Sequence, residues 1–312
     1  MDDEWFGMTH RPFRPMPDAA SYYPATGHEL AFATLQDALE CDEGIVVLVG
    51  EPGVGKSLLA QRLADSLPDS FQCAYITHAR LEHRADLLRT FNYDLGLPHE
   101  QLDEHELRLT LTDHILKHYQ NGERTLLLID EAHHLPADLL EELRLLSNLS
   151  GSEGYAVQVV LIGLPRLLDT LQDAMLDSLR QRIAITCQLP ALEPDEVADY
   201  IVHHLRVAGG RPERIITADA LAFVAQAIGG VPRMINRFGT SLLKRAMQQG
   251  LRRIDRDIAI EELNRSPALV MPQWSELPPV VLETPEAIPM PEDDDDGRYV
   301  SLTLYGTDTP LS

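Results

Sequence analysis

The sequence is poor in cysteine and in long apolar runs. Its three cysteines, Cys41, Cys73 and Cys187, are widely spaced and form no zinc-ligand pattern. Cys73 and Cys187 lie in strand-like runs, so we expect buried free thiols. The longest apolar runs, such as residues 45–49, are far shorter than the ~20 residues that a membrane span needs. The N-terminal residues lack the apolar core of a signal peptide, and we therefore expect a cytoplasmic protein without a membrane span.

Basic residues are also scarce relative to acidic ones. The chain has 26 lysines and arginines against 49 aspartates and glutamates, and its formal net charge is −23. Such a chain has no global attraction to phosphate backbones, so binding to nucleic acid would need a local basic patch. DNA is therefore a partner that the charge does not favour. The 44% of hydrophobic residues and the length of 312 residues suit a soluble globular protein of about two domains.

The most informative stretch is GEPGVGKS at residues 50–57, which fits the phosphate-binding pattern G-x-x-x-x-G-K-[ST]. The β-branched apolar run at residues 45–49 predicts a buried strand before it, and leucines at helical spacing predict a helix after it. A loop between strand and helix can surround phosphates with backbone N–H groups and a helix N-terminus. An ordinary glycine-rich turn is the alternative, but the full motif with both flanks favours a nucleotide site.

The residues of this loop have distinct predicted roles. Its glycines let backbone N–H groups face anionic oxygens. We expect Lys56 to reach the β- and γ-phosphates of ATP and Ser57 to offer its hydroxyl to Mg²⁺. The predicted nucleotide-binding residues of the loop are Gly50, Glu51, Pro52, Gly53, Val54, Gly55, Lys56, Ser57 and Leu58.

An acidic pair, Asp130 and Glu131, directly follows the apolar residues 126–129. The carboxyl ends of parallel strands share the edge where ligands bind, so we expect this pair beside the phosphate loop. Asp130 would hold Mg²⁺, and Glu131 would be the catalytic base that polarises the attacking water. The alternative is an exposed turn with two acids. The letters Asp-Glu-Ala-His also occur in one helicase class, which we reject because the chain has no room for a second helicase core.

Apolar runs alternate with helical patterns through the first part of the chain. Strands are predicted at residues 45–49, 71–77, 125–129, 157–162 and 183–188. This alternation predicts an α/β fold with a five-stranded parallel sheet and flanking helices. A capping box of Thr26 and Glu29 is predicted to open the first helix.

The strand signal stops near residue 190, and helices at residues 195–208, 217–228, 232–249 and 255–263 are predicted to follow. We therefore divide the chain into an N-terminal arm (1–25), a phosphate-loop core (26–190), a small all-helical lid (191–265) and a tail (266–312). The tail is acidic and holds eight of the 21 prolines, so we expect disorder there. Its residues 299–305 form a strand-like patch, which is either a partner-docking strand or without a role.

Three arginines are candidates for contact with phosphates. Arg180 and Arg182 lie just before the fifth strand, and either one is a candidate catalytic arginine finger or a solvated helix cap. Arg233 follows a glycine pair and a proline in the first turn of a predicted helix, where a cation opposes the helix dipole. This cost suggests that Arg233 faces an anion. The twelve histidines show no third ligand at a recognisable spacing, so we predict no metal site from them.

With these motifs placed, the sequence resembles the AAA+ ATPases, and more closely their secretion-pathway ExeA/GspA-type branch. The resemblance covers about residues 5–264. It rests on the segments at 6–13, 22–29, 50–57, 126–135, 159–167, 179–183 and 229–236. The phosphate loop and the acidic pair are generic, whereas the opening arm and the GGVPR segment make the resemblance specific.

The resemblance implies an ATPase core with a helical lid, ATP and Mg²⁺ bound between them, and a homo-oligomeric ring or filament. It assigns Arg182 to the arginine finger and Arg233 to the second sensor, and it places Tyr23 beside the adenine. The family's first sensor is a polar residue after the fourth strand, where this chain has Leu164. Because of this aliphatic residue, we expect either slow hydrolysis or another group that positions the attacking water.

Three functions remain open from the sequence. The first is a self-assembling ATPase that remodels or regulates a protein partner. The second is an ATP-switched DNA-binding scaffold of the transposition target-selector type, with a basic lid surface of Arg237, Lys244, Arg245, Arg252, Arg253 and Arg256. The third is a nucleotide-sensing module with little turnover, as Leu164 suggests.

Overall fold

The computed structural model describes residues 3–14, 21–151 and 154–265. The predicted disordered tail, with its strand-like patch at residues 299–305, lies outside the described residues. All described residues belong to one compact unit, so the division near residue 190 stays a prediction. Within the part that is described, no helix has the length and apolar character needed to cross a membrane.

A parallel five-stranded sheet forms the centre of the fold, as predicted. Its strands are β1 (Ile45–Gly50), β2 (Phe71–Ile76), β3 (Arg124–Ile129), β6 (Val157–Gly163) and β7 (Ile183–Leu189). The strand order is β2-β3-β6-β1-β7. A separate antiparallel pair, β4 (Ser150–Gly151) and β5 (Gly154–Tyr155), was not predicted. The order puts β1 between β6 and β7 and one strand away from β3, so the segments that follow β1 and β3 meet at one edge.

Helices cover both faces of this sheet. Those of the first part of the chain are α1 (Thr26–Glu40), α2 (Lys56–Asp65), α3 (Arg84–Asp94), α4 (Glu104–Gln120), α5 (Ala137–Leu146), α6 (Arg166–Leu171) and α7 (Asp177–Arg180). Alternate side chains of β1 enter different cores: Val47 packs with α3, α4 and α5, whereas Leu48 packs with α1 and α2. This period of two, with burial on both faces, explains why β1 is an unbroken apolar run.

The predicted capping box at the start of α1 is wrong. The helix begins at Thr26, but its N-cap residue is Ala25, which makes no side-chain cap. The carboxylate of Glu29 instead accepts hydrogen bonds from Arg62 at 2.5 Å and from the Tyr22 hydroxyl at 2.7 Å. A charged donor binds a carboxylate more strongly than a backbone N–H does, so Glu29 turns away from the helix terminus.

Between β7 and residue 265, where the described part of the chain ends, the structure has five further helices: α8 (Pro194–Val207), α9 (Pro212–Ile215), α10 (Ala218–Ala227), α11 (Pro232–Gln248) and α12 (Arg256–Arg265). The short α9 was not predicted. These helices share a separate hydrophobic cluster, and the N-terminal arm contributes Met8 and Phe13 to it. The Trp5 indole N–H also donates to the Leu251 carbonyl at 2.9 Å. The arm is therefore seated on the helical region.

Candidate functional site

The phosphate loop connects β1, which ends at Gly50, to α2, which begins at Lys56. Gly53 and Gly55 have φ angles of 89° and 112°, in the left-handed region where a side chain is strained. Gly55 is the N-cap of α2. Glycine is therefore needed at both positions for the chain to turn into α2. The first N–H groups of that helix then face the loop.

Lys56 lies inside this loop. Its Nζ donates to the carbonyl oxygens of Gly50 at 2.8 Å and Glu51 at 3.0 Å, and the residue is only 6% exposed. Burial lowers the pKa of Lys56, while the nearby carboxylates of Asp130 and Glu131 oppose this shift. The ammonium group is thus held where an anion entering the loop would meet it.

The two motifs predicted from the sequence meet at Ser57 and Asp130. The Ser57 hydroxyl donates to Oδ2 of Asp130 at 2.5 Å, and the backbone N–H of Glu131 donates to Oδ1 at 2.8 Å. Asp130 is 3% exposed, and burial raises the pKa of its carboxyl group. A hydroxyl and a carboxylate at this separation are the hard oxygen ligands that suit Mg²⁺. The residues present therefore fit the expected ion.

A cavity of about 750 Å³ opens above the loop, between the sheet edge, the arm and α11. The predicted site residues that line it are Tyr23, Pro52, Gly53, Val54, Gly55, Lys56, Ser57, Leu58, Glu131 and Arg233. Gly50, Glu51 and Asp130 lie behind this lining and contact Lys56 or Ser57. Leu164 also lines the cavity, so an aliphatic side chain stands where the resemblance expects a polar one. The volume is within the range of pockets that hold small-molecule ligands.

Arg233 lies in the first turn of α11 and borders the cavity. Its backbone N–H donates to the Gly53 carbonyl at 3.2 Å, so the helix start contacts the phosphate loop directly. Within the described part of the chain, no acidic side chain forms an ion pair with Arg233. A guanidinium placed at a positive helix end without an acidic partner suits an anionic ligand.

Sequence reasoning missed His28, which contacts the loop and also lines the cavity. Its Nε2 donates to the Val54 carbonyl at 2.7 Å, and the residue is 6% exposed. A Cβ on Gly55 would lie 3.2 Å from this nitrogen. His28 is 26 positions from Val54 in the sequence. It lies in the segment 22–29 that carries the resemblance, but no pattern in that segment indicates a contact with the loop.

The arm brings aromatic residues to the cavity. Tyr22 and Tyr23 both line it, and the Tyr23 ring packs edge-on against Tyr200 at 5.7 Å. The arm's Phe13 carbonyl accepts a hydrogen bond from the Thr240 hydroxyl at 3.2 Å. The arm therefore forms one wall of the cavity, where the resemblance places the adenine.

Arg180 and Arg182 do not reach this cavity. Both are exposed and precede β7, whose first residue pairs with Ile45 at the start of β1. They lie at the amino edge of the parallel sheet, opposite the phosphate loop. Arg180 forms an ion pair with Asp177 at 2.7 Å. Arg182 lines a second cavity of about 580 Å³.

Several basic residues of the predicted lid surface already have partners. Arg245 pairs with Glu261, Arg252 stacks on the Trp5 ring at 4.9 Å, and Arg256 lies 5.4 Å from the Phe223 ring. Arg237 lines the cavity. Lys244 and Arg253 are exposed. The ion pair with Glu261 offsets the charge of Arg245, whereas ring stacking restricts the positions of Arg252 and Arg256 without removing their charge.

The sheet order, the phosphate loop after β1 and the acidic pair after β3 define a P-loop ATPase of the AAA type. Residues 40–171 match the family described as an AAA domain. General secretion pathway protein A of Aeromonas hydrophila is 36% identical over 255 residues, which are 81% of this chain and 46% of that protein. The chain thus spans about half the length of this curated relative. It belongs to the AAA ATPases, in the branch of general secretion pathway protein A.

Solved structures agree with this fold. The Aeropyrum pernix ORC2 protein, in ADPNP-ADP complexes, has a TM-score of 0.61 at 14% identity, covering 87% of this chain and 73% of that one. Cdc6p from Pyrobaculum aerophilum has a TM-score of 0.61 at 17% identity, with 87% and 72% covered. A Walker-type ATPase of Pyrococcus abyssi has a TM-score of 0.54 at 18% identity, with 78% and 72% covered. At these identities the likeness shows the fold alone.

Proposed function

We propose that the chain binds ATP with Mg²⁺ in the cavity above its phosphate loop and hydrolyses it to ADP and phosphate. We further propose that it self-assembles and that hydrolysis remodels or regulates a protein partner. The hydrogen bond between Ser57 and Asp130 carries the first proposal, because it joins two motifs 73 positions apart at 2.5 Å. One motif supplies a phosphate cradle and the other an acidic pair, which are the two parts that phosphoryl transfer needs.

Each proposed role follows from the position of a side chain. Lys56 and Arg233 both line the cavity and offer positive charge to the phosphates. Ser57 and Asp130 would hold the Mg²⁺, which neutralises charge on the β- and γ-phosphate oxygens when bound. Glu131 lines the cavity and would accept a proton from water as that water attacks the γ-phosphorus. The bond between the γ-phosphorus and the bridging oxygen then breaks, and ADP leaves.

Self-assembly is proposed from the placement of Arg182. An exposed arginine at the sheet edge opposite the loop cannot serve its own cavity, but it can serve that of a neighbouring copy. The relative is named for a general secretion pathway, and this supports a protein partner for the present chain.

Steady-state ATP hydrolysis tests this function. The wild type and Glu131→Gln are compared at several protein concentrations, with Mg²⁺ and with EDTA. We expect magnesium-dependent turnover that rises more than linearly with protein concentration, and a loss of at least about 100-fold in Glu131→Gln. No turnover in the wild type at any concentration would refute the proposal.

The alternative of an ATP-switched DNA scaffold has less support, because three of the six basic residues of the lid surface contact other groups and a fourth, Arg237, lines the cavity. Retention of duplex DNA on filters with ATP, at two salt concentrations, decides between the two. We expect no ATP-dependent, salt-sensitive retention. Such retention would favour the scaffold.

A further inference from the structure

The carboxylate of Glu131 lies beside two histidine rings. Nε2 of His133 is 3.3 Å from Oε2 of Glu131, and Nε2 of His134 is 3.8 Å from the same atom. The side chain of His133 is 1% exposed, whereas that of His134 is 30% exposed. Of the two rings, His133 is the one that the protein fixes against the carboxylate.

The His133 ring is held from its other side by the chain after β6. Its Nδ1 accepts a hydrogen bond from the backbone N–H of Leu164 at 3.2 Å. The ring also packs closely on Gly163, where a Cβ would lie 3.3 Å from Nδ1. Since Nδ1 of the neutral ring is an acceptor, its proton is on Nε2, the nitrogen that faces Glu131. Burial and the charge of Arg166 lower the pKa of His133 to about 4, so the ring is neutral at pH 7.

This tautomer argues against a metal site. Glu131, His133 and His134 can place their ligand atoms within 4.8 Å of one another. A metal ion would need a free lone pair on Nε2 of His133, and the hydrogen bond from Leu164 directs a proton to that atom. The His133 ring therefore presents an N–H group, and not a lone pair, to the carboxylate.

We propose that His133 is a positioning residue for Glu131: its protonated Nε2, 3.3 Å from Oε2, attracts the carboxylate and holds it towards the cavity, with Oε1 free for the attacking water. The proposal rests on the ATPase function proposed above. Leu164 contributes through its backbone N–H, since its aliphatic side chain offers no hydrogen bond to water. The Glu131 side chain is 39% exposed, and its backbone is in the left-handed region, with φ of 57°, at the start of a short 3₁₀ turn.

A double-mutant cycle tests this role. We expect His133→Ala to lower kcat about tenfold while the Kd for ATP changes less than about twofold, because the ring acts through Glu131 and not on the nucleotide. His133→Gln, which keeps an N–H donor at similar reach, should recover part of this loss. In a Glu131→Gln background, His133→Ala should have no further effect. His134→Ala is the matched control and should keep kcat within about twofold.

Three kinetic outcomes would overturn the inference: an unchanged kcat in His133→Ala, an equal loss in His134→Ala, or a loss that persists in the Glu131→Gln background. ¹⁵N NMR of histidine-labelled protein, with His133→Gln to assign the signal, adds a readout that does not need turnover. We expect an unprotonated Nδ1 and a protonated Nε2 at pH 7. The opposite tautomer would overturn the inference even in an active enzyme, whereas an inactive wild type with the expected tautomer would refute the ATPase function alone.

Discussion

The backbone N–H of Arg233 donates to the carbonyl oxygen of Gly53 at 3.2 Å. This hydrogen bond joins the first turn of α11 to the phosphate loop. The contact is close, because a Cβ added to Gly53 would lie 2.7 Å from Cβ of Arg233. The start of the helix can therefore respond to what the loop binds.

We predict that Gly53→Ala weakens ATP binding by at least about tenfold, since the methyl group would push α11 away from the loop. Gly122→Ala is the matched control: Gly122 has a similar φ of 80°, but a Cβ there meets nothing within 4 Å. It should lose about 1 kcal/mol of stability through the same backbone strain and bind ATP normally. Isothermal titration calorimetry measures the ATP affinities of the two variants. Equal affinities in the two variants would contradict the role of the contact.

Arg233 gives a second prediction, in which stability and binding change in different ways. Arg233→Ala removes a cation from a positive helix end, so the nucleotide-free protein should be unchanged or stabilised by up to about 0.5 kcal/mol. The same change should weaken ATP binding about tenfold, because a charged donor to phosphate is lost. Lys244→Ala, an exposed cation further along α11, is the control and should affect neither quantity. Normal ATP affinity in Arg233→Ala would show that this arginine does not face the phosphates.

The position of Arg182 predicts complementation between subunits. Arg182→Ala should lower turnover at least tenfold without weakening ATP binding, since arginine fingers contribute up to ~10³–10⁵ to kcat. Arg180→Ala should stay close to the wild type, because Arg180 pairs with Asp177 on the surface.

Mixing two variants of impaired turnover tests this directly. Glu131→Gln keeps Arg182, and Arg182→Ala keeps Glu131, so a mixed assembly contains some sites with both residues. We expect the mixture to hydrolyse ATP faster than the sum of the two variants alone. A strictly additive rate would rule out a finger supplied by the neighbouring copy.

Burial of His133 predicts a pH dependence of stability. Its pKa is about 4 in the folded protein and about 6.5 in the unfolded chain, so the unfolded chain binds more protons between these values. The contribution of the neutral His133 ring to the free energy of unfolding is complete above about pH 6.5 and is lost as the pH falls towards 4. Between pH 7 and pH 5 the free energy of unfolding of the wild type should fall about 2 kcal/mol more than that of His133→Gln.

Urea denaturation at both pH values measures this difference. The control is His134→Gln, which keeps His133 and should follow the wild type. Parallel pH profiles for the wild type and His133→Gln would contradict the buried neutral ring.

The sequence predicted the sheet well because local signals determine it. The run from Ile45 to Gly50 is apolar at every position, and in the structure each of these residues is buried between two layers of helices. The phosphate loop is equally local, since Gly53 and Gly55 adopt backbone angles that other residues rarely adopt.

Contacts between distant parts of the chain were harder to predict. His28 meets Val54 across 26 positions, and His133 meets Leu164 across 31, with no periodicity or motif linking either pair. The capping box of Glu29 failed for a related reason, since Arg62 is a stronger partner that only the tertiary fold brings near. Propensity and spacing describe neighbours along the chain, whereas these side chains depend on helices packed from elsewhere.

Binding of Mg²⁺ and ATP to the wild type and to Lys56→Ala tests the central claim most directly. Thermal unfolding is followed with and without 1,000 Kd of ligand, and the account predicts that ligand stabilises the wild type by about 4 kcal/mol at this excess. Lys56→Ala, which lacks the ammonium group held inside the loop, should gain far less. If the wild type gains no stability, or both proteins gain equally, the phosphate loop is not the site where this chain binds ATP.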